Sequence, residues 1–173
     1  MAREIYLAGG CFWGAQKYLA SIRGVIATEV GYANGNTEHP SYEQVKHEHT
    51  GHAETVRVCY DETQLSLRTL LSLFYRIIDP TSVDQQGHDI GHQYRTGVYY
   101  TDPAEVPALE ASLQQLQARY DRPLAVELAP LAQFFRAEEY HQDYLDKNPG
   151  GYCHVPLGEI AWVKGIDPLT WEE

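Results

Sequence analysis

The chain has 173 residues, of which 43% are hydrophobic, and a formal net charge of −11 from 24 acidic and 13 Lys and Arg side chains. That length suits one domain with a sizeable core. The hydrophobic share excludes a disordered chain, and the acidic balance excludes nucleic acid as the main partner, because phosphate binding needs a basic face.

Ile5 to Ala8 reads as a short buried strand ended by Gly9-Gly10, and Cys11 to Ser21 as a helix closed near Gly24. Val25 to Tyr32 is apolar and β-branched enough for a second strand, and Asn34 to Ser41 is a loop of Gly, Asn and Pro. Thr55 to Tyr60 alternates, with Val56, Val58 and Tyr60 on one face. Leu67, Leu70, Leu71, Phe74 and Ile78 recur at helical spacing up to Asp79-Pro80. Thr81 to Arg95 is a long polar stretch of the kind that is often functional, and Thr96 to Tyr100 is a strand. Leu109, Leu113, Leu116 and Tyr120 mark a further helix, Leu124 to Leu128 a short strand, and Ala137 to Lys147 a helix stopped by Asn148-Pro149-Gly150-Gly151. The tail after His154 has little regular pattern.

Strands alternating with helices imply a sheet covered by helices. The expected fold is α/β (α+β): a two-layer sandwich with a mixed sheet around a split β-α-β-β-α-β core, plus a long irregular C-terminal segment. Residues 1–173 are expected to form a single catalytic domain, with 155–173 packed on or near the core. No apolar run approaches the roughly 18 residues of a membrane helix. Met1-Ala2-Arg3-Glu4 leads straight into a strand pattern, without the apolar core or cleavage site of a signal peptide. A cytoplasmic protein with no membrane partner is expected.

Cys11, Cys59 and Cys153 are an odd number of cysteines, so catalytic or redox use of a thiol is a better expectation than a structural disulfide framework. The sharpest local signal is Gly9-Gly10-Cys11-Phe12-Trp13-Gly14. A strand ends, two glycines turn the chain, and a thiol stands where a helix begins. Free N–H groups at a helix start favour an anion, so Cys11 is expected to ionise easily, and the thiolate is the reactive form. Phe12 and Trp13 offer walls for an apolar pocket. On local features alone, a buried structural thiol is the alternative. Cys59, inside a strand pattern, reads as a core or sheet-face residue.

Gly10-Cys11-Phe12-Trp13-Gly14 resembles the signature of the A-type peptide methionine sulfoxide reductases, and the resemblance extends in order over nearly the whole chain. Gly31-Tyr32-Ala33-Asn34-Gly35 is similar to the family's Gly-Tyr-x-x-Gly segment, with Asn34 where glycine is commoner. Tyr42-Glu43-Gln44-Val45, Thr50-Gly51-His52-Ala53-Glu54 and the run from Gln86 to Arg95 are similar to its tyrosine turn, its Gly-His-x-Glu motif and its Gln-Gly-x-Asp-x-Gly-x-Gln-Tyr-Arg motif. Ala137-Glu138-Glu139-Tyr140-His141-Gln142 and Gly151-Tyr152-Cys153 are similar to its late motifs.

The resemblance implies reduction of methionine-S-sulfoxide, free or in peptides and proteins, as antioxidant protein repair. It implies Cys11 as the nucleophile that becomes a sulfenic acid and Glu54 as the proton donor. Tyr42 and Tyr94 would donate to the sulfoxide oxygen, with Asp89 supporting them, and Phe12 and Trp13 would hold the substrate methyl group. Cys153, after Pro149-Gly150-Gly151, takes the resolving position. The implied reductant is thioredoxin or another external dithiol, with no bound cofactor and no metal, and a monomer is expected. The physics agrees: a carboxylic acid donates at neutral pH only if burial raises its pKa, and tyrosine is a neutral donor.

Two rival readings come from histidines. His47, His49 and His52, or His88 and His92, offer nitrogen ligands, though at no standard zinc spacing. Alternatively, Cys11 with His52 or His141 as base would suit a cysteine hydrolase, which leaves Cys153 unexplained.

Overall fold

The computed structural model describes residues 2–173. Strand β1 (Ala2–Gly9) ends in five successive buried residues, as a central strand covered on both faces must. It is followed by α1 (Phe12–Ala20), β2 (Val25–Ala33), the short α2 (Tyr42–His47), β3 (Ala53–Asp61) and α3 (Leu67–Tyr75). A small hairpin, β4 (Gln85–Gln86) with β5 (Asp89–Ile90), precedes β6 (Thr96–Tyr100) and α4 (Val106–Gln117). Then come β7 (Glu127–Pro130), β8 (Phe134–Arg136), α5 (Tyr144–Lys147) and α6 (Leu157–Lys164).

The main sheet runs β7-β6-β1-β3-β2-β8. Its four inner strands with α1 and α3 form the expected split β-α-β-β-α-β core, and the parallel β6–β7 pair makes the sheet mixed. Period-2 patterning sets the register: Leu7 lies opposite Val56 and Val98, and Ile5 opposite Val58. These residues, with Phe12, Tyr18, Leu19, Leu70 and Phe74, make one large core between the sheet and its helices. Tyr6, Ala8, Ala33, Ala53 and Tyr99 point to the opposite face, where Leu131 and Phe134 cover them. No helix among the described residues is long and apolar enough to cross a membrane.

Four local expectations need correction. The long polar stretch holds the β4–β5 hairpin and a 3₁₀ turn over His92–Tyr94. The strand expected at Leu124–Leu128 lies at Glu127–Pro130, where parallel pairing with β6 fixes it. Ala137–Lys147 is not one helix but a 3₁₀ turn at Glu139–His141 and the short α5. The Gln142 side chain bonds both the N–H and the C=O of Val30, and Asp143 takes a left-handed conformation at φ 53°, so the helix cannot run through. The tail is not wholly irregular: α6 buries Ile160 and Val163 in the main core, with Trp162 and Trp171 packed against it.

Candidate active site

β1 delivers the chain to Gly10, which turns at φ 85°, a conformation only glycine adopts freely. Cys11, 7% exposed, then takes the position just before the first turn of α1. The N–H groups of Trp13 and Gly14 face the sulfur and favour the thiolate, but burial and then the nearby Glu54 outweigh them and push the thiol well above its ordinary pKa. The expectation of easy ionisation is therefore corrected for the resting site: two N–H groups return less stabilisation than the lost water gave.

Glu54 comes from β3, opposite Tyr32 on β2, and is 2% exposed. Its Oε1 accepts the Phe12 N–H at 3.2 Å, which ties the carboxyl to the first turn behind Cys11. Burial, aided by the charge of Asp89 and opposed by that N–H, pushes its pKa up to about 8. At neutral pH the site thus holds a carboxylic acid and a thiol, both protonated.

Tyr42 opens α2, where Ser41 and Gln44 form a reciprocal cap. Glu138 anchors it: Oε2 accepts the Tyr42 N–H at 3.0 Å while Oε1 accepts the Tyr32 hydroxyl at 2.8 Å. Tyr94 closes the 3₁₀ turn. Burial first, then Glu54, raises the pKa of both tyrosines, and Cys11 acts on each, so both hydroxyls belong to the group around the thiol and the acid. Asp89, on the hairpin, accepts the Tyr152 hydroxyl at 3.0 Å.

The aromatic side of the site is built from two residues after Cys11. Phe12 packs 5.7 Å from the Tyr32 ring and 5.2 Å from His141. Trp13 stacks on Tyr144 at 3.8 Å and donates its indole N–H to His141 Nδ1 at 2.9 Å. Cys153 is half-buried, its thiol donating to the Val155 carbonyl at 3.1 Å, and burial raises its pKa. A Cβ on Gly14 would stand 3.0 Å from Cys153 Sγ, so this cysteine lies against the helix that Cys11 caps. All three cysteines are free thiols. Cys59 lies elsewhere on β3, paired with Glu4 and Ala27.

Sequence reading missed Glu138, Tyr144, Tyr152 and His154. Glu138 and Tyr144 sit in a stretch read as plain helix, and only their place in or beside a motif signalled them. Three histidines of the metal reading are otherwise occupied, the first being His47, which pairs with Glu43. His52 accepts from Gly35 N–H at 3.1 Å and bonds the Thr37 carbonyl at 2.7 Å, and His92 pairs with Asp84. Among the described residues no three His, Cys, Asp or Glu side chains converge as a metal site would require.

The family model described as peptide methionine sulfoxide reductase matches residues 3–163. The peptide methionine sulfoxide reductase MsrA of Lachnoclostridium phytofermentans is 56% identical over 162 residues, 94% of this chain and 96% of that protein. Among solved structures, reduced Mxr1 of Saccharomyces cerevisiae is 38% identical with a TM-score of 0.83, over 88% of each chain. Methionine sulfoxide reductase A of Corynebacterium diphtheriae is 35% identical with a TM-score of 0.82, over 88% of this chain and 77% of that one. Mxr1 has also been solved in complex with Trx2, and that chain shares the fold at 24% identity and a TM-score of 0.59, over 83% of this chain and 84% of that one.

Proposed function

Because the chain belongs to the peptide methionine sulfoxide reductase family and is an oxidoreductase acting on methionine sulfoxide, we propose that Cys11 attacks the sulfoxide sulfur, Glu54 protonates the departing oxygen, and Cys153 resolves the product as a disulfide. The observation that carries this reading is the buried carboxylic acid tied by 3.2 Å to the turn behind a buried thiol. Glu54 gives its proton to the oxygen and recovers one from the thiol. The bond that Cys11 makes to the substrate sulfur then breaks as the protonated oxygen passes from that sulfur to Cys11, so the substrate leaves as the sulfide with the electron pair and Cys11, oxidised by two electrons, keeps the oxygen as a sulfenic acid. Tyr42 and Tyr94 donate to the oxygen, Asp89 supports them through the polar rim, and Phe12 and Trp13 receive the methyl group.

Cys153 then displaces the sulfenic hydroxyl, forming the Cys11–Cys153 disulfide and releasing water. A dithiol partner of the thioredoxin type reopens it by thiol exchange. The family resemblance supports that reductant, and so does the complex of Mxr1 with Trx2. The S epimer and the peptide-bound or free substrate follow from the resemblance. Every group named comes from one chain, so a monomer suffices, and residues 1–173 serve as a single catalytic domain with the tail docked through Val155, Ile160 and Val163.

A single turnover tests the reading. Fully reduced enzyme is mixed with a methionine-S-sulfoxide peptide without reductant, and cysteine pairing is mapped by mass spectrometry. One methionine per chain with a new Cys11–Cys153 bridge is expected. No methionine from folded enzyme would remove Cys11 from its role, and methionine without the bridge would remove Cys153.

A further inference from the structure

The residue after the resolving cysteine is a histidine that the reaction as described leaves idle. His154 fills the space between the two turns around Cys11. Its Nε2 bonds the Gly9 carbonyl at 3.0 Å, and a Cβ on Gly10 would meet that nitrogen at 3.1 Å. A carbonyl only accepts, so Nε2 carries the hydrogen and Nδ1 keeps its lone pair. Nδ1 is buried and has no hydrogen-bond partner. An acceptor left without a partner away from water costs free energy, and a native structure keeps one where it has a use.

The use is indicated by what Nδ1 faces. The point where a Gly14 Cβ would lie is 3.0 Å from Cys153 Sγ and 3.2 Å from His154 Nδ1. Thiol and lone pair therefore flank the same spot on α1, no further apart than those two distances combined. In the resting enzyme the Cys153 thiol spends its hydrogen on the Val155 carbonyl, which cannot take the proton away.

We propose that His154 Nδ1 accepts the thiol proton of Cys153 when that cysteine resolves the Cys11 sulfenic acid. This rests on Cys153 being the resolver. The Cys153 sulfur forms the S–S bond as the Cys11 S–O bond breaks. The sulfenic sulfur is reduced and the Cys153 sulfur oxidised. The hydroxide leaves as water with the proton His154 collected, so the imidazole ends neutral as it began. Burial holds His154 below the ordinary imidazole range, so it is a free base at neutral pH. The titratable groups facing it are Asp89 from the hairpin and Cys153 of its own segment, and Gly9, Gly10 and Gly14 present backbone alone.

His154→Gln keeps an N–H for the Gly9 carbonyl and removes the base. Reduced full-length enzyme is mixed with a methionine-S-sulfoxide peptide, and methionine and the Cys11–Cys153 bridge are timed separately by rapid quench from pH 6 to 9. In the wild type the rate constant of the second step, taken from the lag of the bridge behind methionine, is expected to be flat above neutral pH. In the variant it falls about 100-fold at pH 7 and climbs with pH, because the thiol must ionise unaided. A variant with the wild-type rate and profile would overturn the proposal. If the variant does not fold, the wild-type profile decides: a log-linear rise from pH 6 to 9 overturns it, and a plateau supports it. Methionine formed by wild type without the bridge would instead overturn the resolver assignment, and this proposal with it.

Discussion

Glu54 places a carboxyl out of water, where its proton is held up to about pH 8, and this one residue sets stability and chemistry against each other. For activity the sign is plain. The acid is present below pH 8 and lost above it, so the sulfoxide step should fall about tenfold per pH unit on the alkaline side once the carboxyl has ionised. Glu54→Gln removes the proton while keeping an acceptor for the Phe12 N–H, and should slow methionine formation roughly 100- to 1000-fold in single turnover. For stability the folded pKa lies above the unfolded one. The contribution is whole below the unfolded value near 4.5 and is lost as pH rises to about 8, because the unfolded chain gives up its proton first. Denaturant midpoints measured at pH 5 and pH 8 should therefore differ less in Glu54→Gln than in the wild type. An equal difference would place the proton on another group. The role proposed for Glu54 was legible only through its motif, since nothing in Ala53-Glu54-Thr55 distinguishes a buried strand acid from a solvated one. Its raised pKa comes from burial among elements far apart in sequence.

At the scale of elements, the site depends on β8 lying beside β2 and on Glu138 just beyond it. Glu138 holds the first residue of α2 with one oxygen and Tyr32 of β2 with the other. Glu138→Ala should slow the sulfoxide step by displacing Tyr42, and should cost about 1–3 kcal/mol because the buried Tyr32 hydroxyl loses its acceptor. Methionine bursts and thermal unfolding check both, and a loss of stability without a loss of rate would detach Tyr42 from the reaction. Gly14 gives a second case. Inside a helix, alanine is favoured over glycine by about 1 kcal/mol. Here its Cβ would press on Cys153, His154 and Val155 at 3.0 to 3.3 Å. Gly14→Ala should leave thermal stability nearly unchanged and slow disulfide formation roughly 10- to 100-fold through misplacement of the resolving segment. The same scale explains which elements the sequence disclosed. α3 buries one regular face and the second half of β3 alternates, so their period is written in the residues, while β1 shows itself as a short apolar run buried on both faces. Ala137–Lys147 has a helix-forming composition that the Gln142–Val30 bonds and Asp143 override from outside. In α6 apolar residues run nearly all round, Leu157, Ile160, Ala161, Trp162 and Val163, so no stripe marked it, although only Ile160 and Val163 are buried.

Across the whole molecule, the two cysteines proposed as nucleophile and resolver sit in layers of different strength. Cys11 follows β1, which is paired on both sides by β3 and β6 and covered by the main core. Cys153 lies in the stretch between α5 and α6, and that stretch is held down by the docking of α6. The docking consists of Ile160 and Val163 in the core, the Arg76 guanidinium 3.9 Å over the Trp162 ring, and the same guanidinium paired with Glu159. An open apolar cavity flanks the stretch, lined by Leu145, Pro149, Leu157 and Ile160 beside Cys153. A nucleophile needs fixed donors around it, whereas a resolver must travel to a sulfur that has just changed partners, so the weaker layer suits the second step. Local opening in proteins starts where few buried contacts hold a segment. Val163→Ala takes two methyl groups from the α6 anchor and should cost about 2 kcal/mol. The loss should appear as faster hydrogen exchange over 148–164, with β1 and β3 still protected. In single turnover the variant should still yield its methionine at close to the native rate, while the Cys11–Cys153 bridge forms more slowly, because the resolving segment spends less time against α1. Equal slowing of both steps would mean that the tail and the sheet unfold as one unit.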